Sequence, residues 1–161
     1  MKALITGASS GIGLDMARYL ATKKCELILV ARDKEKLEKI QESLPTKVTI
    51  VVADLSNEQK VKELYVLTKK EKIDVLINNA GFGLCGEFTE TDINRELEMI
   101  DTNIKAVHLL TKFFLRDMEK NNSGYILNVA SSAAFQPGPL MATYYATKSY
   151  VYQLTEAIYY E

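Results

Sequence analysis

Short runs of apolar residues alternate with longer amphipathic segments along the whole chain. Five of these runs are predicted to be strands: Lys2–Thr6, Glu26–Val30, Val48–Val52, Val75–Asn78 and Tyr125–Val129. They are nearly all apolar rather than alternating with polar positions, which is typical of a parallel sheet covered on both faces. Helices are predicted between and after them, near Gly11–Lys23, Lys34–Leu44, Asn57–Lys70, Asp92–Lys120 and Met141–Glu161. This alternation predicts an α/β fold built from right-handed βαβ units.

Composition and charge narrow the class of protein. The 161 residues suit one domain, and a content of 47% hydrophobic and 25% charged residues is that of a globular protein with a core. A formal net charge of −1 gives no electrostatic reason to expect nucleic acid or a membrane surface as a partner. We find neither the pattern of a leader peptide nor an apolar run that could span a bilayer, so we expect a cytoplasmic protein.

Cysteine and histidine, which commonly bind transition metals, are scarce. Cys25 and Cys85 lack metal-ligand spacing and are expected to be reduced thiols, although the pair by itself also permits a disulfide. His108 is the single histidine, which excludes a histidine-rich metal site. Its place on a helical segment favours a structural role, and no metal site is predicted.

The stretch "TGASSGIG" lies between the first predicted strand and the first predicted helix. Together with Ile12, it contains three glycines and two serines that are candidate binding residues: Gly7, Ser9, Ser10, Gly11 and Gly13. A tight turn needs one or two glycines, whereas a backbone that approaches a phosphate at a helix N-terminus needs several. The spacing Gly-x-x-x-Gly-x-Gly differs from the common Gly-x-Gly-x-x-Gly fingerprint and indicates a separate subgroup of dinucleotide-binding proteins.

Chemically distinctive residues follow each predicted strand in turn. They are Gly7, Arg32, Asp54, Asn79 and Ser131. Because the carboxyl ends of parallel strands lie at one edge of the sheet, these residues are expected to line a common ligand site.

Four motifs occur in a fixed order: "TGASSGIG", "NNAG" at residues 78–81, "NVASS" and "YYATK". Their order and spacing resemble the motif series of the short-chain dehydrogenase/reductase family. The resemblance implies a Rossmann-type, doubly wound parallel sheet with strand order 3-2-1-4-5. Members of the family continue with further strands, so we expect residues 1–161 to be one dinucleotide-binding domain, an N-terminal fragment with an incomplete substrate pocket.

The resemblance also implies four catalytic residues: Ser131, Tyr144, Lys148 and Asn103. Tyr144 would be the general acid/base, and Lys148, four residues later on the same helix face, would lower its pKa and bond the cofactor ribose. Ser131 would bond the substrate carbonyl oxygen. Asn103 would support a water chain to the lysine, or else bond locally as a helix asparagine.

Two of these assignments have neighbours as rivals. Tyr145 also lies in "YYATK", but the residue four positions later is the uncharged Ser149. Ser132 is one residue closer to Tyr144 than the family spacing requires, and it stays a minor alternative to Ser131.

The end of the second predicted strand bears on the choice of cofactor. Family members that prefer NAD usually carry an acid there, whereas this chain has Ala31 followed by Arg32. A guanidinium suits the 2′-phosphate of NADP by charge and geometry. Asp33 leaves two interpretations open, an acid that bonds a ribose hydroxyl or the N-cap of the next helix. NADP is the expected cofactor, with NAD as the alternative.

The resemblance assigns the remaining cofactor contacts to the loops after the third and fourth strands. Asp54 would bond the adenine amino group, and Leu55 beside it is included among the cofactor-binding residues. Asn79 and Gly81 would lie against the ribose and hold the fourth strand in place.

Two functions from different classes follow. The first is an oxidoreductase that moves hydride between a nicotinamide cofactor and a small carbonyl compound or secondary alcohol. The second is a dinucleotide-binding sensor or interaction module without turnover. Phe82, Leu84, Phe135 and Leu140 would form an apolar substrate wall or simply pack. The last two helices carry apolar stripes, and in the family that the chain resembles these helices often pair across a dimer interface, so the resemblance implies a homodimer or homotetramer.

Overall fold

Five parallel strands form one sheet in the order β3-β2-β1-β4-β5 in the computed structural model, which describes residues 1–161. The strands are β1 (Lys2–Thr6), β2 (Glu26–Ala31), β3 (Val48–Val52), β4 (Val75–Asn78) and β5 (Tyr125–Asn128). All five predicted strands are present to within one residue at each end. The strand order confirms the predicted Rossmann-type topology. β2 and β3 lie on one side of β1, and β4 and β5 lie on the other, so the order of the strands switches between β1 and β4.

The helices are α1 (Gly11–Thr22), α2 (Lys34–Ser43), α3 (Glu58–Thr68), α4 (Ile93–Ile100), α5 (Val107–Lys120) and α6 (Ala142–Tyr159). Three of them begin at a side-chain cap, because Asp33, Asn57 and Asp92 accept hydrogen bonds from backbone N–H groups of α2, α3 and α4. For Asp33 this is the N-cap interpretation offered by the sequence. None of the helices is both long and apolar enough to cross a membrane.

The long central helix departs from its predicted uniform form. A π-helical segment, Asp101–Ala106, separates α4 from α5, where the sequence predicts one continuous helix. Apolar periodicity does not reveal the extra residue in such a turn, because the helical pattern of apolar residues continues on both sides of it. A short 3₁₀ helix, Ser132–Phe135, was also not predicted, and the Ser131 side chain caps it.

Apolar side chains cover both faces of the central strands. Ala3 and Ile5 of β1 point into a core shared with α1 and α2. Leu4, between them in sequence, points into a second core formed with α3 and α5. The central strands are therefore buried on both sides as predicted, whereas the edge strands β3 and β5 keep exposed apolar side chains such as Val52 and Tyr125.

A polar network fixes the carboxyl ends of β4 and β5. The Asn78 amide donates to Asn128 Oδ1 at 2.9 Å and to Thr111 Oγ1 of α5 at 3.1 Å. Asn128 in turn donates to Thr155 Oγ1 of α6 at 3.0 Å. These bonds hold two strands and two helices together directly behind the edge where the chemically distinctive residues lie.

Candidate active site

A cavity of about 740 Å³ opens at the carboxyl edge of the sheet, and the segments after all five strands line it. The predicted site residues in its wall are Gly7, Ser9, Ser10, Gly11, Ile12, Arg32, Asp54, Leu55, Asn79, Gly81, Ser131, Tyr144 and Lys148. Of the predicted residues, Gly13 and Asn103 alone lie behind the wall. The structure therefore brings together residues that are more than 130 positions apart in the sequence, from Gly7 to Lys148.

The glycines of the loop after β1 serve different purposes. Gly7 has a φ of +65°, and a Cβ there would lie 2.8 Å from the Ala80 Cα, so this position combines a left-handed backbone with close packing on the segment after β4. Gly13 faces the Gly7 carbonyl and the Asn79 amide, which leave no room for a side chain. Gly11, with a φ of +52°, has open space where a side chain would be.

The N-terminus of α1 has no side-chain cap. Ser10 has an extended N-cap conformation, but its side chain accepts no hydrogen bond from the first turn. Uncapped N–H groups and the helix dipole favour a negative charge at this position. Together with the open space at Gly11, this geometry fits the pyrophosphate of a dinucleotide.

Asn79 fastens the glycine loop to β4. Its Nδ2 donates to the carbonyl oxygens of Thr6, at 3.1 Å, and Gly7, at 3.2 Å. Its backbone N–H donates to Thr6 Oγ1 at 3.0 Å. As expected from the sequence, this residue holds the fourth strand in place.

Tyr144 and Lys148 project from one face of α6 into the cavity. The Lys148 Nζ lies 5.9 Å from the centroid of the Tyr144 ring and donates to the Val129 carbonyl at 2.7 Å. Lys148 is only 6% exposed, and this burial lowers its pKa below the ordinary value of 10.5. The Lys148 ammonium and the Tyr144 ring therefore lie side by side in the wall of the same cavity.

The rival residues lie outside the cavity. The Tyr145 ring packs over Gly138 on a separate surface, which it lines with Pro137 and Pro139. Ser131 lines the cavity and Ser132 does not. The Ser131 Oγ accepts from the Ala133 N–H at 3.2 Å, which leaves its hydroxyl proton free for a ligand oxygen.

Asn103 lies in the π-helical segment and is fully buried. Its Oδ1 accepts from the Phe82 N–H at 3.1 Å, and its Nδ2 donates to the Phe82 carbonyl at 2.9 Å and to Thr147 Oγ1 at 3.1 Å. A Cβ at Gly81 would lie 2.9 Å from the Asn103 Oδ1 and 3.6 Å from the Lys148 Nζ. Asn103 therefore positions the loop after β4 against α6, and its part in a water chain stays a prediction.

Of the four apolar candidates for a substrate wall, Phe82 lines the cavity. Leu84 and Leu140 instead line a small neighbouring pocket. Phe135 is exposed and packs edge-on against Tyr152, with ring centroids 4.7 Å apart. Met141, which the sequence did not single out, lies beside Tyr144 in the cavity wall.

Sequence reasoning also missed Glu96. This buried glutamate of α4 accepts from Thr143 Oγ1 at 2.8 Å and from the Thr91 hydroxyl, so it joins the start of α6 to the loop after β4. In the sequence it stands among charged residues, "NRELE", and resembles a solvated helix face.

The Arg32 side chain reaches from the end of β2 to α4. Its Nη1 lies 3.1 Å from the Glu98 Oε1, and the other oxygen of Glu98 pairs with Arg95. The Arg95 guanidinium in turn lies 4.8 Å above the centre of the Phe82 ring. The sequence predicted Arg32 at the cavity but gave no sign of these partners.

Comparisons with known proteins agree with this geometry. A family model described as short chain dehydrogenase matches residues 1–161. An uncharacterized oxidoreductase of Staphylococcus saprophyticus is 34% identical over 162 residues, which cover 97% of this chain and 69% of the relative. Hydroxysteroid dehydrogenase-like protein 1 of Gallus gallus is 33% identical over 169 residues, which cover 99% of this chain and 50% of that protein.

Two similar solved structures contain the phosphorylated nicotinamide cofactor. A short-chain dehydrogenase from Sphingobium yanoikuyae in complex with NADPH superposes with a TM-score of 0.91 at 31% identity, over 98% of this chain and 63% of that one. A metagenomic short-chain oxidoreductase in complex with NADP gives a TM-score of 0.91 at 31% identity, over 98% of this chain and 74% of that one. Because the family model matches residues 1–161 and these relatives agree with it, the chain belongs to the short-chain dehydrogenase family of NAD(P)-dependent oxidoreductases.

Proposed function

We propose that residues 1–161 form the dinucleotide-binding domain of an NADP-preferring oxidoreductase that acts on a small carbonyl compound or secondary alcohol. The observation that carries this proposal is the meeting of two features in one cavity. An uncapped helix N-terminus over a glycine loop lies at one wall, and Ser131, Tyr144 and Lys148 lie at another. A protein that only binds a dinucleotide needs the first feature and has no use for Ser131 and Tyr144 in this arrangement.

The cavity residues divide between the parts of the cofactor. The loop from Gly7 to Gly13 and the start of α1 suit the pyrophosphate, and Arg32 suits a 2′-phosphate. Asp54 and Leu55 border the region for the adenine, and Asn79 and Gly81 border the ribose region. Ala31, where an acid would favour NAD, carries no charge, which supports the preference for NADP.

Three side chains account for proton transfer. When bound in this cavity, a nicotinamide cofactor would supply the hydride for reduction of the substrate carbon, or accept it in the reverse direction. Ser131 donates a hydrogen bond to the substrate oxygen and stabilises its developing negative charge. Tyr144 gives its phenolic proton to that oxygen in reduction and takes one from the alcohol in oxidation. Lys148 stabilises the phenolate that remains after the proton has left.

The chain itself supplies a matched pair of tyrosines for the test. In Tyr144→Phe we expect turnover of a ketone panel with NADPH to fall by at least about 100-fold. Nicotinamide fluorescence should show NADPH affinity within about twofold of the unmodified protein, because the phenol contributes to proton transfer more than to binding. Tyr145→Phe removes the adjacent hydroxyl outside the cavity and should leave both quantities unchanged.

Two results would count against the proposal. Turnover that persists in Tyr144→Phe would contradict the role of Tyr144. An unmodified protein that binds NADPH tightly but reduces none of the ketones would favour the binding module without turnover.

A further inference from the structure

Arg32 has an anionic partner within the protein itself. Its guanidinium lies 3.1 Å from the Glu98 carboxylate, although the two residues are 66 positions apart. The Arg32 side chain is 63% exposed, whereas that of Glu98 is 23% exposed, so the arginine is the more accessible member of the pair. This pairing matters because the same guanidinium is the group proposed to receive a 2′-phosphate.

The ion pair links Arg32, in the wall of the cofactor cavity, to a residue of α4 that lies outside that wall. Arg32 lies in the wall formed after β2, and Glu98 lies about one helical turn before Thr102, which also lines the cavity. A cofactor whose ribose lies at the end of β2 must therefore meet this pair. The 2′-phosphate of NADP would compete with Glu98 for Arg32, whereas the uncharged 2′-hydroxyl of NAD would not.

Glu98 does not depend on Arg32 alone. Its second oxygen pairs with Arg95, which is anchored over the Phe82 ring. If Arg32 moves to a phosphate, Glu98 keeps one cation and stays in place. A fixed negative charge then remains close to the bound 2′-phosphate and opposes it.

We infer that Glu98 is a specificity-determining residue, which reduces the preference for NADPH over NADH by competing with the 2′-phosphate for Arg32. The inference rests on the proposed function, since it concerns the same cofactor site. Glu98 belongs to α4, whereas Arg32 follows β2. Glu98 thus affects the choice of cofactor without a direct bond to either cofactor.

The test compares NADPH and NADH affinities, measured by nicotinamide fluorescence at low salt. Glu98→Gln keeps the shape of the side chain and removes its charge. We expect NADPH affinity to rise by about three- to tenfold, as befits the loss of one partly exposed ion pair and a nearby like charge, while NADH affinity changes by less than about twofold. The gain should shrink as salt is raised. Glu63→Gln, which removes the same charge from a pair with Lys60 on α3, is the matched control and should change neither affinity.

A double substitution identifies the route of the effect. In an Arg32→Ala background, Glu98→Gln should raise NADPH affinity by clearly less than it does in the unmodified protein, because the competed group is gone and only the nearby like charge is removed. A full effect in that background would overturn the inference, since it would come from Arg95 or from the general field.

The outcomes separate this inference from the proposed function. If the unmodified protein binds NADPH and the NADPH/NADH affinity ratio is unchanged or lower in Glu98→Gln, the inference fails and the proposed function stands. If the unmodified protein binds neither nucleotide, both fail together.

Discussion

The first two helices of the chain follow neighbouring strands at the same edge of the sheet, yet they begin in different ways. The Asp33 side chain accepts from the Lys36 N–H at 3.0 Å and so completes the first turn of α2 within the protein. Ser10 occupies the corresponding position of α1 and leaves that turn without a cap. The difference indicates that a helix end satisfied by its own chain is structural, and that one left open beside glycines is a place for a ligand.

The same contrast separates two buried polar side chains near the cavity. Asn103 makes three hydrogen bonds to Phe82 and Thr147, which engage both of its N–H donors and its carbonyl oxygen. Lys148 has one carbonyl partner and loses hydration, so its pKa is lowered by burial. The less satisfied group is the one that faces the cavity, as expected if its charge serves a reaction rather than the fold.

The largest expected effect on nucleotide affinity comes from placing a carboxylate cap, like that of α2, at the N-terminus of α1. Ser10→Asp would place a carboxylate at the N-terminus of α1, in a backbone conformation already suited to an N-cap. We expect affinity for both NADPH and NADH to fall by at least about thirtyfold, because the new charge occupies the place of the pyrophosphate and repels it. Thermal unfolding should show an equal or higher melting temperature. Unchanged affinity would mean that this helix end does not receive the cofactor.

A smaller effect is expected on the free energy of unfolding when Lys148 is replaced. Lys148→Met should abolish turnover and raise stability by about 1 kcal/mol at neutral pH, because a buried cation with one partner is replaced by an apolar side chain. Lys112→Met, on the exposed face of α5, is the control and should leave both nearly unchanged.

The pH dependence of that stability gain has a defined sign. The folded pKa of Lys148 lies below its ordinary value of 10.5, so between the two values the unfolded chain binds more protons than the folded chain. The unmodified protein therefore gains stability relative to Lys148→Met as pH rises through this interval, and the difference shrinks. Urea unfolding of the two proteins at several alkaline pH values measures it, and a difference that widens would contradict the burial cost.

The smallest expected effect is that of removing the cap of α2. Asp33→Ala should lower the melting temperature slightly and leave NADPH affinity within about twofold, because the carboxylate is engaged by its own helix. The backbone N–H and side chain of Lys36 lower the pKa of Asp33, so its contribution to stability is present at neutral pH and is lost as pH falls through that lowered pKa. A large loss of NADPH affinity would instead support the alternative in which Asp33 bonds the ribose.

The strands and the cavity-lining loops could be predicted because both follow from local patterns. Apolar runs such as "ALI" and "LILV" define strands, and the parallel order then brings their following loops to one edge. The choice of Tyr144 over Tyr145 followed from the charge four residues later, and the structure places Tyr144 in the cavity.

The partners of charged residues could not be predicted in this way. Glu96 and Glu98 lie two positions apart in one charged stretch, yet Glu96 is buried against Thr143 and Glu98 pairs with Arg32. These contacts depend on how α4 lies against α6 and the end of β2. The spacing of apolar and polar residues within α4 does not contain that information. The π-helical turn that carries Asn103 was not predicted either, because it differs from a regular helix by one inserted residue within a continuous helical pattern. Association through α5 and α6 stays a prediction.

The most direct test of the central claim is a titration of the unmodified protein and Ser10→Asp with NADPH, followed by nicotinamide fluorescence. We expect saturable binding by the unmodified protein and a loss of at least about thirtyfold in the variant, with both proteins folded by circular dichroism. Equal affinities in the two proteins, or no binding by the folded unmodified protein, would contradict the claim that the open end of α1 is the cofactor site.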